Sequence, residues 1–286
     1  MSTPWTTLVD AETLAAELHR DDLVVIDCRH SLMAPEAGAT AHATSHIPGA
    51  RHAQMDRDLS APKAGAPGDA GRHPWPDAQR FSATLGAWGI GASTQVVAYD
   101  DGDGAFAARL WFLLHAVGHE AVAVLDGGWA RWIALGLPVN SATPEVSRRM
   151  FVGSFDDTLL CDATQVQAHL DAGGLLIDAR AAERFRGDVE PIDSVAGHVP
   201  GALNRPYVAN LAEGRFKSAE VLADEFAVLL DARAAADVVA MCGSGVTACH
   251  HLLAMQHAGL PGARLFTGSW SGWIGDGTRS VATGDA

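Results

Sequence analysis

With 286 residues, 48 % of them hydrophobic and 19 % charged, the chain is long for one compact domain and comfortable for two. Its 20 basic and 34 acidic residues leave a formal charge of −14 with no basic cluster, which argues against a nucleic-acid partner held through its phosphates. No apolar run approaches the roughly 18 residues of a membrane span, and the opening MSTPWTTLVDAETLAAEL has no signal-peptide pattern, so a cytoplasmic location without a membrane partner is expected.

In chain order, AETLAAEL at 11–18 has helical spacing, and LVVID at 23–27 reads as a buried strand. QVVAYD at 95–100 is a second strand, followed by a helical pattern at 106–118 and a third strand at 121–127 (AVAVLDG). A polar, Pro-containing segment, LPVNSATPEVSRRM at 137–150, then breaks the pattern. Beyond it the order returns: a strand over 174–178 (GLLID), a strand over 237–242 (DVVAMC), a helix over 247–259 and a strand over 263–268. Continuous apolar strands alternating with helices predict parallel sheets covered on both faces, the doubly wound α/β class.

The two halves repeat each other. LVVIDCRH (23–30) answers LLIDARA (175–181), SHIPGARH (45–52) answers GHVPGALN (197–204), and LDGGWARW (125–132) answers FTGSWSGW (266–273). QVVAYDDGDGAFAARL (95–110) answers DVVAMCGSGVTACHHL (237–252). The predicted organisation is a domain over 1–138, a linker over 139–152 and a second domain over 153–286. Because both halves carry Asp-x-Arg (Asp27 with Arg29, Asp178 with Arg180), these pairs read as structural, as do Trp129, Trp132, Trp270 and Trp273.

The four cysteines, Cys28, Cys161, Cys242 and Cys249, show neither paired metal spacing nor a disulfide framework. Cys242 is singled out by its setting: a strand ends, Gly243 and Gly245 follow, and a helix starts. A helix N-terminus favours a thiolate, and glycines let successive N–H groups converge on one anion. The duplicate has Asp100 at this position, so the fold does not require cysteine there; the other three cysteines read as apolar filler. A cysteine phosphatase loop would need arginine at 248, which is Ala248. Cys249, His250, His251 and His257 lack zinc spacing, and the three histidines read as helix-surface residues; DDGDG at 100–104 reads as a polar loop because a calcium loop would need Glu where Trp111 stands.

These features, CGSGVTA above all, resemble the two-domain rhodanese superfamily, in particular its 3-mercaptopyruvate sulfurtransferase branch, over nearly the whole chain. The resemblance implies two tandem rhodanese-like domains, with the second catalytic. It implies transfer of sulfane sulfur from 3-mercaptopyruvate through a Cys242 persulfide, with release of pyruvate. The acceptor would be cyanide, a small thiol or thioredoxin, and no metal or organic cofactor is implied. The N–H groups of Gly243, Ser244, Gly245, Val246 and Thr247 would hold the persulfide. Arg184 matches a carboxylate-binding arginine; Ser244, His73 and Asp56 match a proposed proton relay, the last two reaching the site from the first domain. The branch's EPR tripeptide is Glu190-Pro191-Ile192 here, which leaves Arg186 as a substitute or a different pocket. Thiosulfate as donor, and a sulfur-carrier module without turnover of small donors, are the alternatives.

Overall fold

The computed structural model describes residues 3–66 and 68–285. It contains two five-stranded sheets whose strand pairs are all parallel. The first holds β1 (Leu8–Val9), β2 (Leu23–Asp27), β3 (Arg51–His52), β4 (Gln95–Tyr99) and β5 (Val122–Leu125) in the order β1-β5-β4-β2-β3. The second holds β6 (Leu160–Cys161), β7 (Leu175–Asp178) and β8 (Leu203–Asn204). After two further short strands, β9 (Leu211–Ala212) and β10 (Arg215–Phe216), β11 (Val238–Met241) and β12 (Arg264–Phe266) complete it as β6-β12-β11-β7-β8. The two orders are the same order, element for element, as the repeat requires.

The central strands carry continuous apolar runs because helices cover both faces, and β4 and β11 are buried along their whole length. The helix Ala107–Ala116 that follows β4 is buried at nearly every position. The corresponding helix Ala248–His257 follows β11, and its residues 248–255 are all buried. His250 and His251 are therefore not helix-surface residues: their rings lie in the interior, where Nδ1 of each meets Asn210 Nδ2 at 3.0 and 2.9 Å, and His251 Nε2 meets the Arg205 carbonyl at 2.6 Å. These partners make two buried rings tolerable on a helix enclosed by apolar packing.

The compact units do not follow the linear order. One unit runs to Ala61, resumes over Pro76–Asp156 and takes in Glu213–Phe216; the other takes Pro62–Trp75, Asp157–Ala212 and the chain from Lys217. The polar segment at 139–152 thus packs with the first unit, where the Arg149 N–H donates to the Gly86 carbonyl at 3.0 Å. Pro62–Trp75 packs with the second unit through glycines. A Cβ on Gly268 or Gly272 would strike the Asp69 carbonyl, and one on Gly275 would strike that of Gly68.

Each unit is pinned by its Asp-x-Arg pair. Arg29 grips the fully buried Asp27 through Nε and Nη2, at 3.0 and 2.6 Å, and its guanidinium carbon lies 4.5 Å from the centre of the Trp129 ring. Arg180 repeats this with Asp178 at 3.0 and 2.6 Å and lies 4.7 Å from the centre of the Trp270 ring. Trp132 and Trp273 are buried in the two cores. Among the described residues, no helix is long and apolar enough to cross a membrane.

Candidate active site

β11 ends at Met241, and Cys242 begins the loop to the helix Ala248–His257. Two neighbours anchor it. The Cys242 N–H donates to Ser269 Oγ at 3.1 Å, and its carbonyl accepts from the Trp270 N–H at 2.9 Å. The Gly243 carbonyl accepts from the Ser271 N–H, also at 2.9 Å. Gly245 has φ +74°, a left-handed conformation in which a side chain would be strained, so glycine is what lets the loop turn here. Cys242 is 2 % exposed, at the floor of the site.

Among the described residues, no protein group accepts from the N–H groups of Gly243, Ser244, Val246 or Thr247. Donors left this way at a helix start form a positive end suited to an anion. The corresponding loop of the first unit shows such donors in use. There the Asp100 carboxylate accepts from Gly102 and Gly104 on one oxygen, at 3.1 and 3.0 Å, and from Phe106 and Ala107 on the other, at 2.9 and 3.1 Å. DDGDG is thus a self-capped loop.

The other cysteines are buried. Burial pushes the thiol of Cys28 well above its ordinary value and that of Cys161 above it, while Cys249 Sγ donates to the Gly245 carbonyl at 3.4 Å.

His73 and Ser244 are brought together: Nδ1 and Oγ are 2.8 Å apart, and both residues are buried. His73 does so from within the second unit, because Pro62–Trp75 belongs to it; its position in the first half of the chain had suggested an approach from the other domain. Asp56 lies in the first unit, on the short helix Met55–Asp58.

Arg184 stands beside the loop, its Nη1 and Nη2 at 3.6 and 3.7 Å from where a Cβ on Gly243 would lie. Glu190 holds it through Nε and Nη2 at 3.2 and 2.8 Å, and Asp193 accepts from Nη2 at 3.1 Å. Burial raises the Glu190 carboxyl, but the N–H groups of Asp193 and Ile192 and the Arg184 guanidinium together hold it below the ordinary carboxylate range. Glu190 also reaches Arg180 Nη1 at 3.5 Å. Arg186 turns elsewhere, to Asp188 at 2.8 Å, and lines a cleft with Ala182, Leu203, Asn204 and Leu229. Ile192 is 41 % exposed.

Two residues that sequence reasoning passed over complete the cluster. Asp193 accepts from Arg184 on one oxygen and from Arg72 Nη1 on the other. Arg72 Nη2 comes within 3.1 Å of the Cβ position at Gly243. Alternating charges therefore run from the core to the loop: Asp178, Arg180, Glu190, Arg184, Asp193, Arg72. A signal for Arg72 did exist. With Trp129 matched to Trp270, Arg131 and Ala134 of the first half correspond to Gly272 and Gly275, glycines that the passage of 68–71 requires.

The chain is similar to known proteins over nearly its whole length. The model of the Rhodanese-like domain family matches residues 10–135 and again 162–276. A Pseudomonas aeruginosa protein named "Probable 3-mercaptopyruvate sulfurtransferase" is 50 % identical over 97 % of this chain and 98 % of its own. A Mycobacterium tuberculosis protein, provisionally named thiosulfate sulfurtransferase SseB, is 38 % identical over 98 % of each. The crystal structure of the 3-mercaptopyruvate sulfurtransferase SseA from Escherichia coli superposes with a TM-score of 0.78 at 30 % identity, covering 93 % of this chain and 99 % of that one. The chain belongs to the rhodanese family and carries its domain twice.

Proposed function

We propose that this chain is a sulfurtransferase that takes sulfane sulfur from 3-mercaptopyruvate, holds it as a persulfide on Cys242 and passes it to a thiol. The observation that carries the reading is the loop itself: a cysteine at a strand end, followed by N–H groups that no protein acceptor occupies, where the sister loop holds a carboxylate. Aspartate ends in an anionic oxygen two bonds beyond Cβ, and a cysteine persulfide ends in an anionic sulfur at the same remove. Backbone donors suit either charge. The names of the relatives from Pseudomonas aeruginosa and Escherichia coli support the donor.

In this cycle the Cys242 thiolate attacks the donor's thiol sulfur. The donor's C–S bond breaks, its electron pair leaves on carbon as the enolate of pyruvate, and the proton of the donor thiol goes to that carbon. Ser244 and His73, 2.8 Å apart beside the loop, are the groups placed to carry it. An acceptor thiolate, such as that of a small thiol or thioredoxin in the cytoplasm, then attacks the outer sulfur, and the S–S electrons return to Cys242. Arg184 supplies positive charge for the donor's carboxylate. The chemistry asks for a thiolate, donors and a proton path, and for no metal or organic cofactor.

Thiosulfate is the second reading for the donor, favoured by the name of the mycobacterial relative, and Ile192 in place of arginine removes one contact that a keto acid's carboxylate would use. The neutral Gly243 and Ser244 beside the cysteine suit a monoanionic keto acid better than a dianion. Incubation with 3-mercaptopyruvate should add one sulfur atom to the wild-type chain by mass spectrometry and none to Cys242→Ser. An adduct and turnover that survive the substitution would refute the assignment, and kcat/KM for the two donors with one acceptor decides between them.

A further inference from the structure

A chain of charge −14 has no general attraction for an anionic donor, so fixed positive groups beside Cys242 must supply it. Two guanidiniums stand there. Arg72 Nη2 and Arg184 Nη1 approach the Cβ position of Gly243 to 3.1 and 3.6 Å, so both border the backbone next to the thiol. A side chain at 243 would fill the space between them, which gives a reason for glycine at a residue whose own conformation does not demand it. Arg72 is firmly held in place: its N–H donates to Ser271 Oγ at 2.9 Å, and Gly71 turns the chain into it at φ +77°.

The contacts of Arg72 point to a ligand. Its Nη1 meets Asp193, but its Nε–H is buried with no hydrogen-bond partner among the described residues. Buried guanidinium donors are ordinarily paired, so an unpaired one bordering a reactive thiol marks a place for an acceptor. Asp193 shows that this pair accommodates a carboxylate, because it places one oxygen on Arg72 and the other on Arg184. The tripeptide position that would carry a second arginine is Ile192, an apolar side chain that offers an anion no hydrogen bond.

We propose that Arg72 is the second donor-binding arginine of this chain, gripping the carboxylate of the keto-acid donor together with Arg184 beside Gly243. The proposal rests on the sulfurtransferase reading above. It replaces a residue missing from the Glu190-Pro191-Ile192 segment with one supplied by Pro62–Trp75, a stretch distant in sequence but folded into the same unit. It also bears on specificity. Arg72 and Arg184 are balanced by Glu190 and Asp193, so a monoanion adds one uncompensated charge and a dianion such as thiosulfate adds two.

The test compares wild type, Arg72→Ala, Arg72→Lys and Arg184→Ala with two donors: 3-mercaptopyruvate, and mercaptoacetone, the same keto thiol without the carboxylate. Loss of a charge-assisted contact should raise the KM of Arg72→Ala for 3-mercaptopyruvate about 10- to 100-fold, with kcat changed less than about threefold. Arg72→Lys, which keeps the charge and loses the fork, should fall between. For mercaptoacetone, kcat/KM should change less than about twofold, which also shows that the variant is folded. Equal losses with both donors would make Arg72 structural and overturn the proposal, as would an unchanged KM for 3-mercaptopyruvate in Arg72→Ala alongside a raised one in Arg184→Ala. Either result leaves the sulfurtransferase reading standing; a wild-type chain that forms no Cys242 persulfide would instead remove that reading and this proposal together.

Discussion

The loop after β4 and the loop after β11 hang from the same backbone frame. In the first, the carbonyls of Asp100 and Asp101 accept from the N–H groups of Trp129 and Ala130 at 2.8 and 2.9 Å; in the second, those of Cys242 and Gly243 accept from Trp270 and Ser271 at 2.9 Å each. What differs is the occupant. Asp100 fills its own loop with a carboxylate bound by four N–H groups, whereas the Cys242 loop leaves four N–H groups without a protein acceptor among the described residues. The donor-lined strand-to-helix loop is thus a property of the fold, and one side chain decides whether it is closed on itself or left open. Burial, with Asp103 adding to it, pushes the Asp100 carboxyl up to about 6, against the pull of the N–H groups around it.

Making the second loop like the first is the most severe way to test this. Cys242→Asp should lose at least about 10³-fold in kcat with 3-mercaptopyruvate, because the nucleophile is gone, while its thermal unfolding midpoint stays near that of the wild type. A large fall in the midpoint would mean that the two loops are not interchangeable frames.

The next effect falls on stability. Asp100→Ala strands four N–H groups, and should destabilise the first unit by about 1–3 kcal/mol in denaturant unfolding. The persulfide of Cys242 should still form. A variant as stable as the wild type would show that the Asp100 carboxylate contributes nothing to its loop.

A smaller, pH-dependent difference separates the helices that follow these loops. With Asp100 matched to Cys242, the first has buried Arg109 where the second has His251. Burial holds His251 down to about 3, so the folded ring stays neutral while an unfolded histidine binds a proton below about 6.5. Between those values the unfolded state takes up the extra proton, so stability is full above about pH 6.5 and falls as pH drops toward 3. Acidification should therefore loosen the second unit before the first, as hydrogen exchange resolved along the chain would show, and His251→Gln should flatten the dependence. Earlier opening of the first unit would contradict this.

The long central strands were legible because a strand buried on both faces is built on a continuous apolar run: residues 23–26, 96–99, 175–177 and 238–241, with Asp27, Asp178 and Gln95 only at strand ends. The edge strands β1, β3, β6 and β8 were not, since two residues carry no periodicity. His250 and His251 misled for a related reason: a helix enclosed on all sides has no polar face to mark its exposure, and the Asn210 that satisfies both rings lies some forty residues away.

The sequence by itself determined the duplication and the parallel α/β class and set Cys242 apart from the other cysteines, because each rests on residues close together in the chain or on one half compared with the other. Only the tertiary structure decided which charges gather around that cysteine. Ser244 meets His73 across 171 positions, and Asp193 meets Arg72 across 121. Those partners lie in a segment that leaves its own half of the sequence to pack over Gly268, Gly272 and Gly275. Local pattern records what a residue is and which way its strand or helix faces; which distant side chain neutralises it depends on packing that no local pattern encodes.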